Sequence, residues 1–347
     1  VINVQLNKSV KKGRAILSYG SNVTSYQSFT HTNSGNFAQG IDPSYLTKSI
    51  VDGQKLNASL NYGFQIGKTK ESFLNVTVNY DQREPTIRSG ERTSDLDNRT
   101  LGDAASNALL NQLGVTRNFF QMRVGQSRSS NIQGIINGAL KTKGSSEFYF
   151  FSILGLRNGN SAGFYIMPYQ ATNIPTIYPK GFLPEINSTI GDISLGTGLK
   201  GKIGDWNYDL SNVYGQNSFS FLINNSLNVS AWYNNSSTQN EFNAGTLSFK
   251  QNTTNFDLSK QFGTVNNGGL RVAYGAELRY EAYRINRGEV ASYKAYPNNF
   301  GLQQAPGAQG FPGFSPDDEV DANRMVTGMY GDLEYTPSEA FLITGAV

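Results

Sequence analysis

Four carboxylates stand together late in the chain, at Asp317, Asp318, Glu319 and Asp321. Hard oxygen ligands crowded in one loop can hold Ca²⁺. The run lacks the regular ligand spacing and the central glycine of an EF-hand loop, however. The pattern therefore favours a solvated acidic loop and keeps Ca²⁺ binding at these four residues as the alternative hypothesis.

Two loops carry aromatic rings in a density that suggests ligand contact. One holds Tyr165, Tyr169, Tyr178 and Phe182, and the other holds Tyr293, Tyr296 and Phe300. Aromatic faces in a concave mouth stack on sugars or planar ligands, and inward arginines would attract anionic chelates. We predict substrate binding by these rings, with loop-to-loop packing as the alternative, and the residues proposed as the binding site are Tyr165, Tyr169, Tyr178, Phe182, Tyr293 and Tyr296.

Composition excludes most reaction chemistry. The 347 residues include no Cys, which removes thiolate metal sites and cysteine nucleophiles, and a single His, His31, which argues against a Ser–His–Asp triad. A net charge of +3 without basic clusters gives no nucleic-acid footprint. No nucleophile elbow, P-loop or dinucleotide fingerprint occurs. We predict that the chain is not an enzyme, has no catalytic residue and uses no cofactor.

The elements that must position these residues are strands. Apolar and polar residues alternate at period two over long runs, for example from Leu56 through Leu60 to Phe64, and such alternation indicates β-structure rather than helix. Eleven strands are predicted, over residues 14–23, 54–65, 72–80, 131–141, 146–157, 190–201, 205–223, 240–260, 270–286, 323–335 and 339–347.

The length of these strands points to a membrane. Soluble strands usually run about 5–6 residues, whereas tilted membrane-spanning strands need about 9–11. No stretch approaches the ~18 consecutive apolar residues of a transmembrane helix. One face of each run is apolar and the other carries charges, Asn, Ser and Gly. The predicted fold class is therefore all-β, a transmembrane antiparallel up-and-down β-barrel with lipid outside and water inside.

Connections and aromatic residues support the same fold. Long and short gaps between the predicted strands strictly alternate, as in barrels with long loops at one rim and tight turns at the other. The longest gap contains helical spacing at 101–114 with a glycine stop, which predicts a short surface helix that gates substrate or simply packs over the mouth. Interfacial rings are predicted at one membrane boundary for Tyr62, Phe64, Trp206, Tyr208 and Tyr335, and at the other for Tyr80 and Tyr280.

The two ends suggest a piece of a longer chain. Residues 2–7 alternate and lead into lysines, whereas residues 341–347 stop in mid-strand. An open sheet edge is untenable in lipid, so we expect further strands to close the barrel.

Several segments resemble the TonB-dependent outer-membrane transporter family. The opening VINVQLNK resembles the last strand of that family's plug domain. Three further segments resemble its barrel: residues 204–210 (GDWNYDL), residues 275–281 (GAELRYE), and residues 309–334 from QGFPGF to YGDLE. The resemblance spans nearly the whole chain, although a TonB box, most of the plug and the aromatic C-terminal strand are missing.

The resemblance implies a division into residues 1–12, the last plug strand, and residues 13–347, about 11 of 22 barrel strands. It implies TonB-dependent active uptake of a siderophore, vitamin or oligosaccharide across the Gram-negative outer membrane. The implied partners are outer-membrane lipid, TonB with its inner-membrane energising complex, and a surface lipoprotein. The Asn- and Tyr-rich composition is similar to that of Bacteroidetes members. The alternatives are a passive porin or a secreted carbohydrate-binding β-sandwich or adhesin.

Overall fold

The computed structural model describes residues 6–30, 44–92, 102–142, 144–264, 267–297, 304–338 and 340–347. Eleven strands are found in them, numbered in chain order. They are β1 (Gly13–Thr30), β2 (Ser44–Gln65), β3 (Phe73–Arg83), β4 (Arg128–Lys141), β5 (Glu147–Ala162), β6 (Glu185–Ile203), β7 (Trp206–Asn224), β8 (Phe242–Thr264), β9 (Asn267–Asn286), β10 (Val320–Ser338) and β11 (Phe341–Ala346).

All eleven strands form one antiparallel sheet in sequence order, with each strand paired to the next. This confirms the all-β, up-and-down part of the predicted fold class. Within the described residues β1 and β11 do not pair with each other, so the sheet is open. The long loops all leave from one end of this sheet and the short turns from the other, because consecutive strands run in opposite directions.

The two faces of the sheet differ as the alternation predicts. On β2 the row that includes Leu60, Tyr62 and Phe64 points outward, with Leu60 65% exposed and both rings 46% exposed. No second layer of protein covers this row in the described part of the chain. The opposite face carries amides and charges. We call the two sides the apolar face and the polar face.

β1 and β2 are longer than the sequence predicts. Beyond the irregularity between Gly20 and Asn22 both strands continue towards the long loop with Ser and Thr on either side, so apolar alternation no longer marks them. Ser25 and Ser49 pair there through their hydroxyls at 2.8 Å. The strand ladder therefore extends past the segment that apolar periodicity can detect.

Among the residues that the structure describes, three α-helices lie in the long connections. They are α1 (Gly102–Leu113), α2 (Val229–Asn235) and α3 (Val290–Tyr293). α1 confirms the predicted helix at 101–114, and Gly114 follows it with φ of 62°, a left-handed conformation that favours glycine. No helix among the described residues is long and apolar enough to cross a membrane.

The main buried clusters lie in the long loops and at the strand ends that carry them, rather than between layers of sheet. One cluster joins Phe120, Tyr165 and Met167 with Leu109, Leu110 and Leu113 of α1. A second joins Ile174, Phe182, Leu227 and Val229, and a third joins Ile223, Phe242, Ala244 and Ala308. We call this packed set of long loops the canopy.

Candidate functional site on the polar face

A row of polar and charged residues crosses seven strands of the polar face near the short turns. Register pairs each member directly with the next, from β4 to β10. The row consists of Lys141, Glu147, Lys200, Asp209, Asp257, Gly275 and Tyr330. We call it the cross-strand row. Paired residues in a sheet share one face, so the whole row faces the same side.

Two tyrosines give the centre of the row a mirrored arrangement. Tyr149 on β5 donates its hydroxyl to Asp209 on β7 at 2.8 Å, and Tyr330 on β10 donates to Asp257 on β8 at 2.7 Å. Asp209 and Asp257 stand directly opposite each other. Two adjacent carboxylates repel, and each is stabilised here by a hydroxyl donor.

Each tyrosine reaches its aspartate across a glycine of the strand between them. A side chain at Gly198 would overlap the ring of Tyr149, and one at Gly275 would overlap the ring of Tyr330 and the carboxylate of Asp257. Glycine in a strand interior often marks such a close approach. Across the sheet, from β5 to β10, the order of these side chains is therefore Tyr, Gly, Asp, Asp, Gly, Tyr, with one residue from each of six strands.

The lysines of the row form ion pairs at its other end. Lys200 lies 3.1 Å from Glu147, and Lys141 lies 3.7 Å from the same carboxylate. A cavity of about 450 Å³ opens beside the row, lined by its charges together with Arg271. The combination of cations, carboxylates and hydroxyls suits contact with polar ligands or with polar backbone.

Residues 6–12 lie on the same face without forming a strand. Asn137 donates to the backbone oxygen of Asn7 at 3.0 Å, and Asn75 donates to that of Ser9 at 3.4 Å. Gly63 exchanges backbone hydrogen bonds with Lys11 and Lys12 at 2.6 and 3.1 Å. This N-terminal segment therefore docks on buried amides of β2–β4. A second cavity, of about 550 Å³, lies between the segment and the cross-strand row.

The predicted ligand-binding rings of the first loop lie inside the canopy. Tyr165 and Phe182 are only 7% and 2% exposed. Tyr178 packs on Phe182 at 4.4 Å and donates to the backbone oxygen of Ser226 at 3.2 Å. Tyr169 packs at the edge of the Phe120 cluster. As they stand, the buried rings offer little surface to a ligand and hold loops together.

The rings of the second loop are half-buried. Tyr293 ends α3, and the Lys294 ammonium lies 5.1 Å from the centroid of the Tyr296 ring. Among the described residues no ring–ring contact joins these two tyrosines to the rings of the first loop, and substrate contact by Tyr169, Tyr178, Tyr293 and Tyr296 stays a prediction. Phe300 and His31 lie outside the described residues.

Buried amides join the canopy loops. Asn228 caps α2 by accepting from the backbone of Ala231 at 3.2 Å, and its amide donates to the backbone oxygens of Ala291 and Lys294 at 2.9 Å each. Sequence reasoning missed Asn228 because an isolated Asn gives no signal of its partners.

Burial in the canopy also affects two of the predicted ligand-binding tyrosines. It raises the pKa of the Tyr165 hydroxyl to about 12, and it raises the pKa of the Tyr178 hydroxyl as well.

The four late carboxylates turn to different partners. Asp318 accepts from the backbone and hydroxyl of Ser315, which lower its pKa. Glu319 pairs with Arg287 at 3.8 Å and Asp321 with Arg284 at 2.6 Å. Asp317 is exposed, and none of the described residues form an acidic cluster suited to a metal ion.

Comparison with protein-family models gives no match for this chain. Comparison with curated proteins gives no significant match either. Membership of the TonB-dependent transporter family therefore stays a prediction that rests on the segments quoted above.

Proposed function

We propose that this chain forms part of the wall of a TonB-dependent transporter in the Gram-negative outer membrane. The observation that carries the proposal is the apolar face. On β5 it runs over nine residues, from Phe148 to Leu156, with Ser152 as the single polar side chain before the row becomes polar at Asn158. That is about the height of a membrane-spanning strand, and the face has no protein layer against it among the described residues.

The apolar face also carries aromatic rings near the short turns, as expected at a membrane interface. Trp206 packs on Tyr274 at 5.5 Å, and Tyr62 packs on Phe64 at 4.7 Å. A secreted β-sandwich would bury such a row against a second sheet. The exposed row supports a wall that faces lipid.

The N-terminal segment supports active uptake over a passive porin. Residues 6–12 precede the first strand and are held on the polar face, the position that an internal plug would occupy. The hydrogen bonds from Asn75 and Asn137 join the segment to the wall. We propose that it is the end of a plug.

The canopy and the cross-strand row divide the work of transport. The canopy captures a scarce substrate, either a siderophore, a vitamin or an oligosaccharide. TonB, driven by the inner-membrane proton gradient, then displaces the plug, and the polar face lines the path. The wall itself performs no bond chemistry, and a surface lipoprotein is a further proposed partner of the canopy.

Two measurements test this function. The full protein should be recovered with outer membranes and be released only by detergent; recovery in the aqueous fraction would exclude the membrane wall. A deletion strain should then fail to grow on one member of a panel of ferric siderophores, cobalamin and oligosaccharides supplied as single sources. A protonophore should block uptake of that compound in the parent strain, whereas uptake through a passive porin would continue.

A further inference from the structure

The apolar face becomes polar at one register across four neighbouring strands. The last largely apolar row contains Tyr80, Ile132, Leu156 and Gly191. The next row, towards the long loops, contains Gln82, Ser130, Asn158 and Thr189, and the row beyond it contains Arg128, Asn160 and Asn187. We call these two polar rows the polar belt. It lies on the same side as the apolar face and directly above it.

A cavity of about 780 Å³ is set into this belt. Its floor is formed by β3–β6, and Pro85, Ile87 and Arg123 from the connection between β3 and β4 form its upper edge. Cavities of about 300–1,000 Å³ accommodate small ligands. The cavity opens on the outer flank of the wall, away from the polar face and the cross-strand row.

The charges of this cavity neutralise one another. Arg123 pairs with Glu185, and Arg128 lies 2.7 Å from Glu84. The Arg128 guanidinium, with a further hydrogen bond from Gln82, lowers the pKa of Glu84, so this pair remains charged at neutral pH. Because both cations have a carboxylate, an isolated anion gains little here. The remaining groups are amides and hydroxyls.

One amide that lines the cavity lacks a hydrogen-bond partner in the described structure: the donor Asn187 Nδ2. A second unpartnered amide atom, the acceptor Asn224 Oδ1, lies beside Glu185 but outside the cavity lining. Asn224 stands directly opposite Glu185 in the register of β6 and β7. Buried polar groups are normally hydrogen-bonded, and the unpartnered donor in the cavity suits the oxygen of a sugar hydroxyl, which can accept from it while donating to a neighbouring amide oxygen.

We propose that this cavity binds the neutral sugar headgroup of a glycolipid whose acyl chains lie along the apolar face. The acyl chains would contact Ile132, Leu154 and Leu156, which are 51%, 45% and 46% exposed directly below the belt. The inference rests on the proposed membrane position of the wall. It goes beyond transport, because the site faces away from the substrate path and serves to anchor or order the surrounding lipid.

The test uses the full-length protein in bilayer nanodiscs with digalactosyl diacylglycerol as the probe. Native mass spectrometry measures the lipid retained, against phosphatidylglycerol, phosphatidylethanolamine and the free digalactose headgroup. The double variant N158A/N187A should weaken glycolipid retention about tenfold, since it removes two hydrogen-bonding amides. The matched control is Ser220→Ala on β7, which continues the first polar row but lies outside the cavity.

A second variant tests whether a loss of retention in the first variant comes from the cavity or from misfolding. Ser130→Trp fills the cavity without removing an amide, and it should also reduce glycolipid retention. Selective retention of the glycolipid that falls in both variants and persists in Ser220→Ala supports the site. Equal retention by wild type and variants, displacement by phosphatidylglycerol at equal concentration, or binding of the free sugar without preference for the lipid would overturn it. Failure of the wild type to enter bilayers would instead overturn the membrane proposal itself.

Discussion

Tyr149 and Asp209 lie two strands apart, and the tyrosine hydroxyl reaches the carboxylate at 2.8 Å because Gly198, on the strand between them, has no side chain. The contact joins β5, β6 and β7 in one unit. It fixes the orientation of Asp209, which stands directly opposite Asp257 on the neighbouring strand β8. The position of Asp209 in the cross-strand row therefore depends on Gly198, a residue that has no polar side chain.

Replacing Gly198 with valine should displace the Tyr149 ring and break its hydrogen bond to Asp209. Overpacking of this kind typically costs about 1–3 kcal/mol of unfolding free energy. Urea unfolding of the protein folded in lipid vesicles measures the loss. Gly215 lies in the interior of β7, also at a polar-face position, and a side chain added there would meet open space. Gly215→Val is therefore the control and should change stability far less. Equal losses in both variants would contradict the role of Gly198.

A side chain at Gly63 should release the N-terminal segment. A methyl group there would overlap the backbone oxygen of Ser9, so Gly63→Ala forces residues 6–12 away from the Asn75 and Asn137 amides. A local loss of one to two kcal/mol raises the open population about 5–30-fold. Trypsin cleavage after Lys8, Lys11 and Lys12 should accelerate by that factor. Gly20→Ala on β1, where a methyl group meets nothing, should leave the cleavage rate unchanged.

The strands were predictable because their signal is local. Alternation within β5 or β9 depends only on that strand's own neighbours in sequence, and the resulting order of eleven strands is confirmed. The extensions of β1 and β2 escaped prediction, since Ser and Thr on both sides of a strand leave no apolar period. The alternation of long and short loops was equally predictable, because the gaps between the predicted strands can be counted in the sequence.

The candidate site could not be predicted in the same way. The contact from Tyr149 to Asp209 depends on the mutual register of β5, β6 and β7, and register is not encoded by any one of these strands. Among the loop aromatics, the sequence shows that Tyr165 and Phe182 are apolar rings, but their burial depends on α1 and α2 from other loops. Residue type indicated a role in recognition or packing, and tertiary contacts decide between them.

A polar pair on the apolar face gives a test of the solvent that this face meets. Asn212 and Asn252 exchange amide hydrogen bonds at 3.0 and 3.2 Å, and Asn212 also donates to Thr254 at 2.8 Å. Asn212→Leu leaves the Asn252 amide without its partner, which should cost about 1–3 kcal/mol of unfolding free energy in a bilayer. The double variant N212L/N252L should be more stable than either single variant.

Unfolding in lipid vesicles for all four members of this double-mutant cycle gives the coupling energy between the two amides. In contact with lipid, leucine at both positions is compatible with the surrounding apolar residues. Additive losses from the two single substitutions would contradict a hydrogen-bonded pair that faces hydrocarbon.

Asn228 should be the most sensitive amide of the canopy. Asn228→Ala removes the cap of α2 and two hydrogen bonds to the loop around α3. Loss of the cap alone costs about 0.5–2 kcal/mol. Hydrogen exchange at the Ala231 amide should accelerate at least several-fold. Asn234→Ala, which removes one exposed hydrogen bond to Pro297, is the control and should leave Ala231 protected.

Tyr165 should make the canopy sensitive to high pH. Burial raises its pKa to about 12, above the value of about 10 for a tyrosine in water. The folded state therefore holds the proton more tightly than the unfolded state does. Its stabilising contribution is complete below pH 10 and is lost as pH rises towards 12.

Absorbance at 295 nm should show one tyrosinate fewer forming near pH 12 in Tyr165→Phe than in the wild type. The hydroxyl of Tyr165 donates to the backbone oxygen of Lys180 at 3.1 Å, and ionisation removes this donor while it places a charge among Phe120 and Met167. Protection factors of the amides in residues 163–184, which correct for base-catalysed exchange, should thus fall between pH 10 and 12 in the wild type. The phenylalanine variant should lack that component, and an unchanged profile would mean that Tyr165 titrates in contact with water.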